Sequence, residues 1–259
     1  MMPLSGAPFL MELSNEFYVF VAVGLLAQLV DGALGMAFGL LSSSILATTG
    51  LPPAIVSASV HAAEMVTTGV SGASHLMMHN VDRRLFLRLA IPGVVGGVLG
   101  AYVLTSLPGE LVRPVVSLYL LALGGLILWR AARQRSRQFP SERVPALGFV
   151  SGVLDAIGGG GWGPLATSTL LAGGGEVRQT IGSVNAAEFV VTVAISISFF
   201  GTIGTEHLDI VLGLMLGGVL ASPLAAVLVK RAPERWVLVA VGLLVSGISA
   251  WQLARWWLV

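Results

Sequence analysis

The sequence contains no cysteine and few charged residues. Without cysteine it has no disulfide framework and no thiolate to bind a metal or act as a nucleophile. Only 10% of the 259 residues are charged, whereas a soluble domain carries about a quarter. With 55% hydrophobic residues and a mean hydropathy of +0.89, the chain cannot cover a water-facing surface. The composition therefore predicts an integral membrane protein.

The start of the chain also lacks basic residues. Residues 1–17 contain two glutamates and no Lys or Arg, so we expect no cleavable signal peptide.

Eight hydrophobic segments, separated by short connections, make up the chain. Six of them approach the ~20 residues that one helical span needs. Segments one and five have about 30 residues each, and a single helix of that length would be ~45 Å long, too long for a ~30 Å bilayer core. We therefore expect an all-α polytopic fold in which these two segments are interrupted, re-entrant pairs of half-helices. The segments run over roughly 17–47, 52–77, 85–106, 111–130, 144–172, 177–203, 208–229 and 235–257.

A duplication relates the two halves of the chain. Residues 31–69 and 155–193 align without a gap and are identical at 14 of 39 positions. Duplicated hydrophobic units are typical of secondary transporters. The sequence predicts two homologous four-segment repeats, at 1–132 and 144–259, joined by a basic linker at 133–143.

The basic residues favour an inverted orientation of the two repeats. With re-entrant segments one and five, twelve of the 14 Lys and Arg residues fall on one side, and only Arg113 and Arg255 fall on the other. With eight plain spans the split is nine to five. Because Lys and Arg accumulate on the cytoplasmic side, the first arrangement is preferred, with a cytoplasmic linker and a bacterial-type inner membrane location. The twelve are Arg83, Arg84, Arg88, Arg130, Arg133, Arg135, Arg137, Arg143, Arg178, Lys230, Arg231 and Arg235.

Two carboxylates fall near the middle of the second and sixth segments. Glu64 and Glu188 occupy equivalent places in the repeats, and carboxylates at this depth face the protein interior or a water-filled cavity. His61 and Asn185 precede them by three residues, which places each pair on one helix face. Ser59 and Ser183 lie two residues further back. The structural alternative is that the glutamic acids and His61 only hydrogen-bond to neighbouring helices.

Glycine-rich interruptions are the second candidate feature. Residues 158–164 read GGGGWGP, and the weaker copy at 32–39 reads GALGMAFG. Each glycine costs a helix ~1 kcal/mol relative to alanine, so both stretches predict helix breaks. A half-helix that starts after a break offers unpaired backbone N–H groups to an anion. Asp31 and Asp155, at the head of the two stretches, either cap these half-helices or bind a cation or proton.

No Lys or Arg lies deep within a segment. An anionic substrate must then be held by backbone N–H groups, hydroxyl groups, an amide and a protonated imidazole. The acidic residues are candidates for coupling to H⁺ or Na⁺, and the sequence does not choose between these ions. The candidates for ion coupling are Asp31, Glu64, Asp155 and Glu188. The candidates for substrate binding are Gly35, Gly39, Ser44, Ser59, His61, Gly159, Gly160, Gly161, Trp162, Gly163, Ser168, Ser183 and Asn185.

The GGGGWGP run, its degenerate copy and the layout of two four-segment halves resemble the TauE/SafE sulfite exporter family, also called the toluene sulfonate uptake permeases. The similarity covers nearly the whole chain. The resemblance implies secondary transport of small sulfur-containing anions such as sulfite or organosulfonates. Only the glycine-rich positions carry over from the family, and the first copy departs from it at Met36, Ala37 and Phe38.

Two other classes of function remain open at this level. An intramembrane lipid-phosphate enzyme needs Arg, Lys or a metal at the phosphate, and only His61 provides a cation deep in a segment. A passive anion channel would give a flux that does not saturate with substrate concentration and needs no coupling ion. The sequence suggests no enzyme activity, no cofactor and no nucleic-acid partner. The glycines of segments three and seven predict close helix packing within the chain, with a homodimer face as the alternative.

Overall fold

The computed structural model describes residues 15–34, 36–132, 139–204, 207–228 and 234–258. Gly35, Lys230, Arg231 and positions 133–138 of the predicted linker lie outside these ranges. The described residues form helices and turns, with no β-strand among them. The α-helices are α1 (Asn15–Leu34), α2 (Phe38–Leu46), α3 (Pro53–Met77), α4 (Arg83–Ser106), α5 (Gly109–Ala132), α6 (Val144–Gly158), α7 (Ser168–Ala172), α8 (Val177–Ile203), α9 (Leu208–Leu228) and α10 (Glu234–Leu258).

Within the described ranges, four helices are long and apolar enough to cross a membrane. They are α4, α5, α8 and the Leu238–Leu258 part of α10. Shorter apolar stretches occur at Phe38–Thr49 and Leu208–Ala221. Large hydrophobic side chains such as Ile91 and Leu118 are exposed on the outside of the bundle, where lipid can cover them. The all-helical, apolar class is thus confirmed, while the total of eight segments stays a prediction.

Segments one and five are each divided into two helices inside their glycine-rich stretches. The first helix break lies between Leu34, the last residue of α1, and Phe38, the first residue of α2. The second helix break, residues 159–162, separates α6 from a π-helical turn at Gly163–Thr167 that leads into α7. Gly159 and Gly160 have φ angles of +67° and +155°. Side chains disfavour these angles, so the second break needs glycine.

Two hydrogen bonds made by arginine side chains mark the two ends of the bundle. At one, the Arg113 end, Nη2 of Arg113 donates a hydrogen bond of 2.7 Å to the carbonyl of Gly50. At the other, the Arg88 end, Nη1 of Arg88 donates one of 3.2 Å to the carbonyl of Ser141. Helix α4 connects the two, because it starts beside Arg88 and its last turn lines a cavity with Pro53 at the Arg113 end.

The short helices after the two breaks lead to different ends. Helix α2 leads through a 3₁₀ turn to Gly50 at the Arg113 end. Helix α7 is held at the end of α5, where Arg130 donates hydrogen bonds to the carbonyl of Pro164 at 2.7 Å and to Oγ1 of Thr169 at 3.0 Å. It is followed by Gly173, whose carbonyl accepts a bond from the N–H of Phe139 at 3.3 Å, near the Arg88 end.

Two helix pairs run parallel, each joining the two halves of the chain. Helix α4 packs on α6, with Leu89 against Gly148 and Gly100 against Ala156. Because glycine has no side chain, the helix backbones approach closely at these positions. The predicted packing surface on segment three is therefore used inside the chain. Helices α1 and α9 pack in the same way, with Phe20 against Gly213 and Leu25 against Gly217.

Two further pairs run antiparallel. Helix α3 packs on α8, with Gly69 against Phe189 and Gly72 against Ala186. Residue numbers rise on one helix as they fall on the other, so the helices run in opposite directions. Helices α5 and α10 pair likewise, with Ser117 against Gln252 and Leu128 against Gly242.

Candidate functional site

Each helix break is closed by an aspartate from its own segment. Oδ1 of Asp155 accepts hydrogen bonds from the backbone N–H groups of Gly161 (2.7 Å) and Trp162 (2.9 Å). Oδ1 of Asp31 accepts bonds from Ala37 (2.7 Å) and Phe38 (3.1 Å). These N–H groups precede new helical turns and lack partners within the helix. The same groups were expected to face an anion, and here each aspartate binds two of them.

Asp155 also contacts an imidazole from the other half of the chain. Its Oδ2 atom lies 3.2 Å from Nε2 of His61, and the two side chains are 2% and 0% exposed. Nδ1 of His61 lies 2.8 Å from the carbonyl oxygen of Ser57. A carbonyl only accepts hydrogen bonds, so Nδ1 carries a proton. The Nε2–Oδ2 contact then holds one more proton, either as imidazolium with carboxylate or as imidazole with carboxylic acid.

Ser57 ties this pair to the helix that carries Asp155. Its hydroxyl group donates a bond of 2.6 Å to the carbonyl of Ala156 and lies 3.3 Å from Nδ1 of His61. Helix α3 is therefore joined to the last turn of α6 both through Ser57 and through the His61–Asp155 pair.

The two helix breaks meet in the protein interior. The hydroxyl group of Ser43, in α2, donates to the carbonyl of Gly159. Gly39 lies so close to Gly160 that a Cβ atom on Gly39 would be 2.9 Å from the Cα of Gly160. A Cβ on Gly163 would be 2.7 Å from the Cα of Met36. Contact at this distance is backbone against backbone, so the two breaks form one junction.

Glu64 lies at this junction. Its side chain is 6% exposed, and its Oε1 atom would be 3.3 Å from a Cβ on Gly39. Glu188 is partly buried on α8. Each glutamate lies within electrostatic range of Asp31 and Asp155, and Glu188 also within range of Glu64. The predicted ion-coupling residues thus share one region, which a proton or a cation can neutralise. Among the described residues, no group of three His, Asp or Glu side chains is arranged to hold a metal ion.

The second repeat has no equivalent of the His61–Asp155 pair. Asn185 takes the place of His61, and its Nδ2 atom donates a bond of 2.9 Å to Oγ of Ser71 on α3. An amide does not titrate, so the duplication gives one ionisable pair rather than two.

Other predicted substrate-binding residues lie in the segments that contain the two breaks. Trp162 is fully buried, and its indole N–H donates to the carbonyl of Val184 at 3.2 Å. The hydroxyl group of Ser168 donates to the carbonyl of Pro164 one turn earlier. Ser44 is buried on α2, and its hydroxyl group has no partner among the described residues.

The structure does not bring Ser59 and Ser183 to the junction. Ser183 is placed beside the start of α4, where its Oγ accepts a bond of 2.8 Å from the N–H of Asp82. Ser59 lines a small cavity with Phe200 and His207. Gly35 lies outside the described residues.

Three residues of the junction were not predicted from the sequence. Ser57 precedes His61 by one helical turn, and this spacing could have identified it. Ser43 carried only a weak signal, as the middle of three consecutive serines. Tyr119 of α5 packs against Gly158 and Gly161, and its buried hydroxyl group has no hydrogen-bond partner among the described residues. Nothing in the local sequence around Tyr119 indicates this position.

Apolar helices around a buried group of ionisable side chains and interrupted helices are typical of multi-pass membrane transporters. The family model described as "Sulfite exporter TauE/SafE" matches residues 20–251. This chain belongs to that family, and the resemblance inferred from the glycine-rich motifs is confirmed.

A curated relative supports the same class. The chain is 42% identical over 254 residues to the "Probable membrane transporter protein YtnM" of Bacillus subtilis (strain 168). The alignment covers 94% of this chain and 85% of the relative. Both the family and the relative are named as transporters rather than as enzymes. No solved structure matches the chain.

Proposed function

We propose that the protein is a secondary transporter that moves a small sulfur-containing anion, such as sulfite or an organosulfonate, across the bacterial cytoplasmic membrane. Alternating access takes place around the junction of the two helix breaks, and transport is coupled to H⁺, with Na⁺ as the other candidate ion. The observation that carries this proposal is the His61–Asp155 pair at the junction. The family description supports the substrate class.

The packing supports two inverted repeats, 1–132 and 144–259. Under the 124-residue shift, α3 corresponds to α8 and α5 to α10, and both pairs run antiparallel. The same shift relates α1 to α6 and α4 to α9. The α1–α9 pair therefore corresponds to the α6–α4 pair, and both run parallel. In this arrangement α1–α2 and α6–α7 are re-entrant hairpins from opposite faces. The Arg88 end and the 133–143 linker are then cytoplasmic.

The junction suggests how access can alternate. Each hairpin tip packs against the other. Gly39 contacts Gly160, and Ser43 binds the carbonyl of Gly159. Withdrawal of α2 would open the junction toward the Arg113 end, and withdrawal of α7 would open it toward the Arg88 end. Because the tips touch backbone to backbone, each loses its support if both withdraw, so alternating access requires that only one tip withdraws at a time.

The His61–Asp155 pair links a proton to this movement. It connects α3 to the second break, where Asp155 also holds the N–H groups of Gly161 and Trp162. A change in its protonation alters the bond that fixes the α6–α7 tip, and a freed N–H pair can then bind the substrate anion. Since Asn185 replaces the imidazole in the other repeat, one such proton is available per cycle.

We expect Glu64→Gln and Glu188→Gln each to lower gradient-driven uptake of [³⁵S]sulfite into proteoliposomes at least tenfold. Glutamine keeps the size and the hydrogen-bonding capacity of glutamate but cannot carry the exchangeable charge. Glu110→Gln, in the exposed first turn of α5, is the matched control and should transport normally. Unchanged thermal stability would show that the loss is functional. Wild-type flux in both variants would exclude these glutamates from coupling.

A further inference from the structure

A cavity opens at the Arg113 end and reaches the second helix break. Its volume is about 360 Å³, and it lies between the end of α2, the starts of α3 and α5, and the end of α10. Ser43, Ile157 and Gly158 form its inner wall. Ser43 is the residue that binds the carbonyl of Gly159. The cavity therefore connects the surface with the junction of the two breaks, and we call it the outer vestibule.

Two guanidinium groups line the outer vestibule. Arg113 and Arg255 are both exposed, and neither forms an ion pair with an acidic residue that the structure describes. One Nη atom of Arg113 is bound to the carbonyl of Gly50, which fixes the side chain and leaves other N–H donors free for a ligand. A guanidinium group offers five donors in a planar fork that matches the oxygens of an oxyanion.

The walls beside the arginines combine aromatic and polar groups. Trp251 and Trp256 line the outer vestibule, and Cζ of Arg255 lies 5.6 Å from the ring centroid of Trp251. Deeper in, the hydroxyl group of Ser117 donates to Oε1 of Gln252 at 2.9 Å. An aromatic surface next to two guanidinium groups suits a ligand with an apolar body and an anionic head. The volume is near the lower limit for small-molecule sites, which suits a compact ligand.

The two arginines are not a relic of the duplication. Under the 124-residue shift, Arg113 corresponds to Val237 and Arg255 to Ala131. The pair takes one arginine from each repeat, and the two symmetry-equivalent positions carry Val237 and Ala131, so the opposite end of the protein has no equivalent pair. Inheritance from a common ancestor does not account for it.

We propose that Arg113 and Arg255 form an anion site in the outer vestibule that takes the sulfonate head of an organosulfonate, with its apolar body against Trp251 and Trp256. This site deepens the proposed function, on which its role in transport rests. It collects the anion beside the hairpin tips, at the end of the bundle opposite to Arg88. The same oxyanion chemistry is offered by the headgroup of an anionic phospholipid, so the test separates the two ligands.

The test measures binding of p-toluenesulfonate to the purified full chain in phosphatidylcholine nanodiscs, by isothermal titration. We expect Arg113→Gln and Arg255→Gln each to raise Kd at least tenfold, and the uncharged analogue p-toluenesulfonamide not to bind. Arg88→Gln, at the other end of the bundle, is the matched control and should bind as the wild type does. Arg113→Lys keeps the charge without the planar fork and should give an intermediate Kd, which separates charge loss from misfolding.

A second arm uses nanodiscs that contain phosphatidylglycerol. If the arginine variants lose only the thermal stabilisation given by phosphatidylglycerol and bind p-toluenesulfonate as the wild type does, the arginines serve a lipid and the proposal is overturned. Sulfonate binding that depends on both arginines, without transport in proteoliposomes, would support the site and contradict the proposed function. Transport with an unchanged KM for p-toluenesulfonate in both variants would contradict the site and leave the proposed function standing.

Discussion

The Asp155→Asn variant is expected to fold normally and to lose gradient-driven anion accumulation. Asparagine Oδ1 can still accept the bonds from Gly161 and Trp162, and its Nδ2 can donate to a neutral His61 imidazole. Every contact of the junction is then satisfied, but the Nε2–Oδ2 proton is no longer exchangeable. Because the pair can no longer exchange this proton, the coupled step is lost, and we expect the transport rate to fall about 100-fold or more, equal to about 2.7 kcal/mol of barrier.

Two further variants make this result interpretable. Asp31→Asn changes the equivalent cap of the first break, which binds Ala37 and Phe38, and its effect on transport should be much smaller. Asp155→Ala removes the cap as well as the proton site, so it should also lower the melting temperature. Initial rates of [³⁵S]sulfite uptake and thermal melts measure both effects. Equal losses of transport in Asp31→Asn and Asp155→Asn would show that the imidazole pair has no special role.

Gly160→Ala is expected to separate the two hairpin tips and to abolish transport. Gly160 has a φ of +155°, and an added Cβ would overlap the backbone carbonyl carbon of Gly39 and the nitrogen of Leu40. Backbone atoms cannot turn aside as a flexible side chain can, so the whole α1–α2 hairpin must move. Overpacking of this kind costs roughly 1–3 kcal/mol, in addition to the strain of the backbone angle.

Gly174→Ala is the control for the backbone angle alone. Gly174 has a φ of +77°, and an added Cβ would have nothing within 4 Å. This variant should lose about 1 kcal/mol of stability and keep its transport rate. Thermal melts and [³⁵S]sulfite uptake compare the two variants. If Gly160→Ala transports as well as Gly174→Ala, contact between the breaks is not part of the transport cycle.

Local features of the sequence were sufficient to predict the helix breaks. Consecutive glycines disfavour a helix wherever they stand, and Asp31 and Asp155 are typical residues at the start of a new helical turn. The placement of His61 and Glu64 on one face of α3 follows from helical spacing alone. These inferences need no knowledge of tertiary packing.

The partners of the site residues could not be predicted in this way. His61 and Asp155 are 94 residues apart, and their contact depends on how α3 packs against α6. Tyr119 reaches the second break only because α5 passes beside it. The spacing placed Ser59 and Ser183 near the candidate site, but Ser183 lies beside the start of α4 and Ser59 lines a cavity with His207, just before α9.

Coupling of anion movement to an ion gradient at the junction of the two breaks is the feature on which the proposed function depends. Its most direct test is [³⁵S]sulfite flux in proteoliposomes of the wild-type chain, with a pH gradient or a Na⁺ gradient imposed separately. We expect the pH gradient to drive sulfite above its equilibrium level, with loss of this accumulation when a protonophore is added. Accumulation under the Na⁺ gradient alone would show that Na⁺, and not H⁺, is the coupling ion. Flux that never exceeds equilibrium under either gradient, and does not saturate, would identify a passive channel and contradict the account.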